Sequence, residues 1–403
     1  MLNLTYCYRI YPSLNQSAQM LNWMEQCRRV YNYALAERKD WLNSRKSRLN
    51  ACSIQQEYII PADTPYPDYY KQQNALTKAK EGMPELKAVH SQVLQDALKR
   101  LDKSFKFMQE RGFGFPRFKK FGQYRSVGFP QFKTNPITDL HVKLPKVGAV
   151  PINLHRPIPE GFEVKQVRVV QKASGWYAQL ILQADVNVPE VMPHGEPIGI
   201  DLGLAKFLAV STGRLVERPR FFVDLQSKLK WLQRKLKNRK KGSANYRKVQ
   251  AKIRQLHENI QNIRREFHFL TAHQLCEEVG MIFAEDLNLK ATSRGMLAKH
   301  CLDAAWGSFL DILGWVCKKR GVYFARVNPN GTSQTCPDCG THTGKKELNV
   351  RVHHCHECGY TTDRDVAAAM VVKQRGLTAV GRTVVLPVEE SRLGAPVKQE
   401  SLK

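Results

Sequence analysis

The most restrictive feature of the chain is a cysteine pattern: Cys336-Pro-Asp-Cys339 and, fifteen residues on, Cys355-His-Glu-Cys358. Each pair lies on a tight turn closed by a glycine, Gly340 or Gly359, and two such pairs supply four soft thiolates with the spacing of a tetrahedral Zn²⁺ site. With sulfur in all four positions no coordination site is left for substrate, so one structural zinc is expected in a ribbon over residues 332–360. His353, His354 and His356 are then surface residues of the ribbon rather than ligands. The other cysteines, Cys7, Cys27, Cys52, Cys276, Cys301 and Cys317, are scattered, which is the usage of a reducing compartment. Cys276 and Cys317 fall on apolar helix faces and are expected to be buried.

Charge narrows the partner. Against 36 Asp and Glu the chain carries 63 Lys and Arg, a formal +27 over 403 residues, while 42% apolar content excludes a disordered basic tail as a description of the whole. No run approaches the ~18 apolar residues that span a bilayer, and Met1 to Tyr11 lacks the pattern of a secretory signal. A cytoplasmic protein binding a polyanion is expected, with nucleic acid ahead of a membrane surface because phosphate neutralisation releases counterions. Between Lys228 and Arg265, Glu258 is the only acid among many cations, including Arg239, Lys240, Lys241, Arg264 and Arg265. A solvated face is the ordinary reading of such a helical run. Like charges at i,i+3 and i,i+4 nevertheless repel without a polyanion, which favours a phosphate-contacting hairpin over residues 224–279.

Two further stretches bear on nucleic acid. Phe113 to Lys133 interleaves Phe113, Phe115, Phe118, Phe121, Phe129 and Phe132 with Arg117, Lys119, Lys120, Arg125 and Lys133. Stacking aromatics with phosphate-binding cations would suit an RNA or heteroduplex surface, and a barrel core with a basic exterior explains the alternation equally well. Trp231 and Tyr246 are likewise open between base stacking and core. Gln92 and Gln95 have amides able to read adenine edges, although a solvated glutamine is the plainer reading of each.

Hydrophobic periodicity gives the organisation. Leu2, Leu4, Tyr6, Tyr8 and Ile10 alternate as on a strand; Ser13 and Gln16 form a capping box before a helix of roughly twenty residues. The pattern weakens from about 43 to 84, then Val89 to Met108 reads as a second amphipathic helix. Strands return at 140–144, 164–172 and 176–184, the last two joined as a hairpin at Ala173-Ser174-Gly175. With the first strand they would form a small β-barrel interrupted by helices. After a linker at 189–197, three strands (198–204, 207–211, 214–219) precede long helices to 279. A strand at 281–285, a helix at 303–320, a strand at 322–327, the cysteine module and a helix at 363–376 follow, an α/β pattern. The tail from 381 has no pattern and is expected to be mobile.

Three acids sit where chemistry is plausible. Asp201 lies inside the apolar strand 198–204, where an unpaired carboxylate costs several kcal/mol to bury. Glu285 ends the strand 281–285, and Asp365 opens the Ala-rich last helix. Carboxylates from separate elements can converge on two divalent ions about 4 Å apart for phosphodiester hydrolysis. Taken singly each has a plain alternative, a solvated strand end for Glu285 and a helix-dipole partner for Asp365. Asp363, two residues before Asp365, is better placed as an N-cap, since i and i+2 point about 200° apart on a helix.

Gly199-Ile-Asp-Leu-Gly203, Ala284-Glu-Asp-Leu287, Thr332-Ser-Gln-Thr-Cys-Pro-Asp-Cys-Gly340 and Thr362-Asp-Arg-Asp-Val-Ala-Ala-Ala369 occur in the order seen in TnpB proteins of insertion sequences. Tyr8–Pro12, Arg28–Asn32 and Gly114–Lys119 match their N-terminal signature, so the resemblance spans nearly all of 1–380. It implies an RNA-guided DNA endonuclease: a wedge β-barrel (1–19 and 111–190), a helical recognition insert (20–110), and a RuvC-like domain of RNase H fold (195–331 and 361–380) with the zinc ribbon inserted. By that resemblance Asp201, Glu285 and Asp365 bind two Mg²⁺, and the partners are guide RNA and double- and single-stranded target DNA, with a monomer favoured and no membrane. The family's usual Asn two residues after the last acid is Ala367 here. A miniature type V CRISPR effector shares these motifs, and a nuclease-dead RNA-guided regulator is the alternative of another class.

Overall fold

The computed structural model describes residues 2–46, 60–61, 63–138, 140–277, 279–292, 295–347 and 349–381; Cys52 and the tail after Gly381 lie outside them. The chain divides into two units, Met1–Val188 and Pro189–Lys403.

In the first unit β1 (Leu2–Ile10) is followed by four helices, α1 (Leu14–Ser44), α2 (Tyr69–Gly82), α3 (Pro84–Ala88) and α4 (Ser91–Arg111). Five strands come next: β2 (Ser126–Phe129), β3 (His141–Leu144), β4 (Gly148–Asn153), β5 (Glu163–Gln171) and β6 (Trp176–Ala184). With β1 they form one six-stranded antiparallel sheet in the order β2-β5-β6-β1-β4-β3, in which β1 pairs with β6 along all nine residues. Among the described residues β2 and β3 are not paired with each other. The Ser13 capping box is made: Gln16 N–H donates to Ser13 Oγ at 3.2 Å and Ser13 N–H to Gln16 Oε1 at 3.0 Å. It starts a helix of 31 residues rather than about twenty. The extension turns on Arg38, whose guanidinium is buried by donating to Gln72 Oε1 and Asp102 Oδ1 and lying over the Phe105 ring. The apolar stripe of α1, from Met20 through Leu35, packs with Val93, Leu94, Leu98 and Leu101 of α4 and with Phe129 in a continuous core.

The second unit begins with β7 (Pro197–Leu202), β8 (Lys206–Val210) and β9 (Leu215–Glu217), followed by α5 (Gln226–Lys237) and α6 (Ala244–Leu275). Next come β10 (Met281–Glu285), α7 (Leu289–Thr292), α8 (Ala298–Ala304), α9 (Trp306–Arg320) and β11 (Tyr323–Val327). A 3-10 turn at Thr332–Gln334, the hairpin of β12 (Val352–His354) and β13 (Thr361–Asp363), and α10 (Arg364–Ala379) complete it. The helix expected at 303–320 is two, because Ala305 takes a left-handed conformation with φ 53° between α8 and α9.

Five strands make a sheet in the order β11-β10-β7-β8-β9, with β11, β10 and β7 parallel and β8 and β9 antiparallel to their neighbours. Period-two alternation divides β10 between two layers. Ile282 and Ala284 enter the core with Leu275 of α6 and Phe309, Leu313 and Val316 of α9. Met281 and Phe283 face the other way and pack with Val372 of α10. Two glycines permit the close approach of α10. A Cβ on Gly199 would stand 2.1 Å from the Ala369 carbonyl oxygen, and one on Gly376 would stand 2.1 Å from the Phe283 ring. Among the described residues no helix is long and apolar enough to cross a membrane.

Candidate active site and metal centre

The β7–β10 ladder pairs Ile200 with Ala284, so the next residues on these parallel strands, Asp201 and Glu285, stand side by side at the same end of the sheet. The third acid comes from α10, the layer that Gly199 on β7 and Met281 and Phe283 on β10 face. Docking of α10 on β7 carries Asp365, in its first turn, to Gly203, where its Oδ2 lies 3.8 Å from the position a Cβ would take.

All three carboxyl groups titrate above their ordinary range. Asp201 is pushed well up, first by burial and then by the charges of Glu285 and Asp365. Burial raises Glu285 against the opposing effects of the Thr332 hydroxyl and Arg375. Asp365 is raised by burial and by Asp363, with Arg351 and Arg364 opposing. In a protein of net charge +27, none of the three makes an ion pair with a described residue. Clustered acids with no directly paired protein cation are a donor set that suits divalent metal, whose charge would lower all three pKa values together. They do not all fall within 4.8 Å of one another, a closeness that only the cysteine set reaches among the described residues.

Asp363 takes the separate place expected of it. Its Oδ1 accepts from the backbone N–H groups of Asp365 at 2.8 Å and Val366 at 3.2 Å, capping α10.

The cysteine sulfurs converge: all four lie within 4.8 Å of one another, with Cys336–Cys358 at 3.7 Å and Cys339–Cys355 at 3.6 Å. Bonds of ~2.3 Å to a tetrahedral zinc imply sulfur separations of about 3.8 Å, so the set fits that ion. The two knuckles are equivalent. Gly340 N–H donates to the Cys336 carbonyl and Gly359 N–H to the Cys355 carbonyl, both at 3.0 Å, with both glycines at positive φ. His354 and His356 are exposed as expected. His353 is not: strand alternation along β12 turns it inward to 1% exposure, beside the Lys346 amine and the Tyr360 ring.

The basic residues separate by environment. Arg239, Lys240 and Lys241 are exposed in the turn between α5 and α6, and Arg265 is exposed over the Phe269 ring. Arg264 is committed inward. It donates to Asp303 Oδ1 at 2.8 Å and lies over Phe221, while Asp303 also accepts from the Phe222 and Val223 N–H groups. Trp231 is 53% exposed beside Lys235, and Tyr246 is half-buried.

In the other unit the phenylalanines divide as well. Phe129 is core, whereas Phe113, Phe115, Phe118 and Phe121 are exposed, Phe121 by 83%. Their segment is pinned to α1 through Lys119: its N–H donates to Asn32 Oδ1 at 2.8 Å, and its carbonyl accepts from Asn32 Nδ2 and Arg28. Arg117 and Lys120 are exposed on it. Gln92 and Gln95 are both half-buried, and Gln92 donates to Gln131 at 3.2 Å.

One residue escaped the sequence reading. Thr332, 5% exposed, donates its hydroxyl to Glu285 Oε1 across 47 positions of sequence. The Thr332–Gly340 motif marked the segment and gave no sign of this partner.

Three family models match: "Helix-turn-helix domain" over residues 1–47, "Probable transposase" over 177–295 and "Cas12f1-like, TNB domain" over 306–372. Across the described part of the first, the structure has one strand and one long helix. The Escherichia coli (strain K12) protein "Putative RNA-guided DNA endonuclease InsQ" is 30% identical over 412 residues, covering 98% of this chain and 96% of that one. The chain belongs to the TnpB family. A Streptomyces pristinaespiralis relative with the same description is also 30% identical, covering 98% and 95%. TnpB-like protein L79 of Acanthamoeba polyphaga mimivirus matches at 26% over 129 residues, 30% of this chain and 24% of its own. The fold of this TnpB chain resembles a solved Cas12f1 in a complex with sgRNA and target DNA, with a TM-score of 0.54 at 16% identity over 90% of this chain and 83% of that one.

Proposed function

We propose that this TnpB-family chain is an RNA-guided DNA endonuclease of a transposable element that hydrolyses target DNA with two Mg²⁺. The observation that carries the reading is the meeting of Asp201, Glu285 and Asp365, unpaired with any described cation, at one end of the five-stranded sheet. The strand order, with three parallel strands and two antiparallel ones, supports a RuvC-like RNase H fold for that unit. The convergent cysteines support a zinc ribbon inserted before α10, and the six-stranded sheet with its helices supports a wedge and recognition region.

In this reading Asp201, Glu285 and Asp365 hold the two ions. When bound, the metal supplies an acidified water and neutralises charge on the scissile phosphate. The residues' own work is to hold three carboxylates in one place with no direct ion pair to a described residue. Exposed Arg239, Lys240, Lys241 and Arg265, together with Arg117, Lys119, Lys120 and Phe121, would contact guide RNA or the guide–target duplex. Sequence is then read by base pairing, and the protein reads a short flanking motif, for which Gln92 and Gln95 are candidates.

The test is to sequence RNA that co-purifies with the chain, then challenge the guide-loaded protein with a plasmid library carrying the matching target beside randomised flanks. Cleavage that needs guide, target and Mg²⁺ and is lost in Asp201→Ala is expected. Guide-dependent binding without cleavage by the wild-type chain would make it an RNA-guided regulator instead.

A further inference from the structure

We propose that Thr332 is a positioning residue for Glu285, and that through it the cysteine module sets the geometry of the carboxylate site. The inference rests on the metal-dependent nuclease reading above. Glu285 is 7% exposed, and the Thr332 hydroxyl donates to its Oε1; among the described residues Oε2 accepts no hydrogen bond. One oxygen is held and the other is left for a cation. The same hydroxyl lies 3.2 Å from the Pro329 carbonyl. A single O–H cannot serve both acceptors fully, and the nearer, charged carboxylate takes it because charge-assisted bonds are the stronger.

What fixes Thr332 is more telling than the bond itself. It opens the 3-10 turn that leads into the first knuckle, four residues before Cys336. The loop before it is clamped by Arg375, which donates to the Asn328 and Asn330 carbonyls at 2.8 Å each. The knuckle is clamped by Gln374, which donates to the Pro337 carbonyl. Both clamps are consecutive residues of α10, the helix whose first turn carries Asp365. Module, loop and helix thus form one body touching two of the three acids: Asp365 through α10, and Glu285 through Thr332. A hydroxyl acting only as a local turn former would need neither the reach across to β10 nor a carboxylate partner.

The experiment uses the full chain loaded with guide RNA. Mn²⁺ binding is followed by the electron paramagnetic resonance of free Mn²⁺ before DNA is added, and single-turnover cleavage is then measured against Mg²⁺ concentration. Thr332→Val, which keeps the shape and loses the hydroxyl, is expected to weaken Mn²⁺ binding and raise the half-saturating Mg²⁺ by about 10–100-fold, the usual effect of removing a group that orients a metal ligand. Zinc content and guide-dependent DNA binding should stay unchanged, and Thr332→Ser should restore most of the loss. In a Glu285→Gln background Thr332→Val should have no further effect, since it acts through that carboxylate. If Thr332→Val loses its zinc, Thr332→Ala carries the same expectations. Metal binding in Thr332→Val equal to wild type, or a Ser variant no better than Val, overturns the proposal. Wild-type protein that binds Mn²⁺ yet cuts no DNA overturns the nuclease reading instead, and leaves the comparison of metal affinities to decide Thr332.

Discussion

The Asp363 side chain accepts a hydrogen bond from the backbone N–H of Asp365, two residues on, at 2.8 Å, which engages Asp363 as the cap of α10. Asp365→Ala is expected to abolish Mg²⁺-dependent cleavage while guide-dependent DNA binding survives. Asp363→Ala should cost about 1 kcal/mol, the worth of an N-cap, and leave cleavage measurable. A plasmid-cleavage assay and a thermal melt on both variants decide it; the assignment fails if the phenotypes are exchanged.

Gly199 faces backbone on α10, and backbone cannot rotate out of the way. Gly199→Ala should therefore destabilise the second unit by about 1–3 kcal/mol or more, the range of overpacking in a close-packed core. Differential scanning calorimetry would show it, and an unchanged melting temperature would mean that α10 does not lie so close.

Zinc analysis of purified protein should return one ion per chain. Cys339→Ser should lower the stability of the second unit, since binding energy at a structural site is folding energy. Because α10 and Thr332 are both tied to the first knuckle, the same variant should also lose cleavage.

The exposed cations of the α5–α6 turn and the half-buried Arg264 predict opposite phenotypes. Replacing Arg239, Lys240 and Lys241 together with Gln should leave the melt unchanged, weaken RNA binding and flatten its salt dependence by roughly 0.7–0.9 log–log units per lost phosphate contact. Arg264→Gln should instead destabilise the fold, because it leaves the buried Asp303 carboxylate without its charge partner. Filter binding across a salt series separates the two.

His268 is buried among Phe207, Phe267 and Phe309, with Nε2 3.0 Å from the Ala304 carbonyl oxygen. Burial, aided by Arg264, lowers its pKa to about 4 against the hydrogen bond to Ala304. The folded state holds the neutral ring, so as pH falls below about 6.5 the unfolded chain takes up the proton first. Stability present above that pH is lost progressively down to about 4, by up to about 3 kcal/mol. Urea titrations from pH 7 to 4 should show the loss, and His268→Gln should reduce its slope.

Local chemistry was legible in the sequence where a short stretch contains its own cause. The Ser13–Gln16 box, the strand Met281–Glu285, the knuckle glycines and the Asp363 cap are all of that kind. Elements that lean on distant partners were not. β4 carries Gly148 and Pro151, which spoil its pattern, and it is a strand because β1 and β3 flank it. α2 has only Gln72 and Leu76 buried, too few to leave a stripe. The even balance over Phe113–Lys133 resolves residue by residue, since alternation does not say which ring finds a core. Arg264 reads as one more cation until Asp303, far along the chain, claims it. Glu285 was visible as a strand-end acid, whereas its hydrogen-bond donor was not.

The order of elements also sets a time order. Asp201 and Glu285 are synthesised on β7 and β10, but the helix bearing Asp365 follows the whole cysteine module. The helix that brings Asp365 beside Gly203 can therefore dock on β7 only after residues 332–360 have been made.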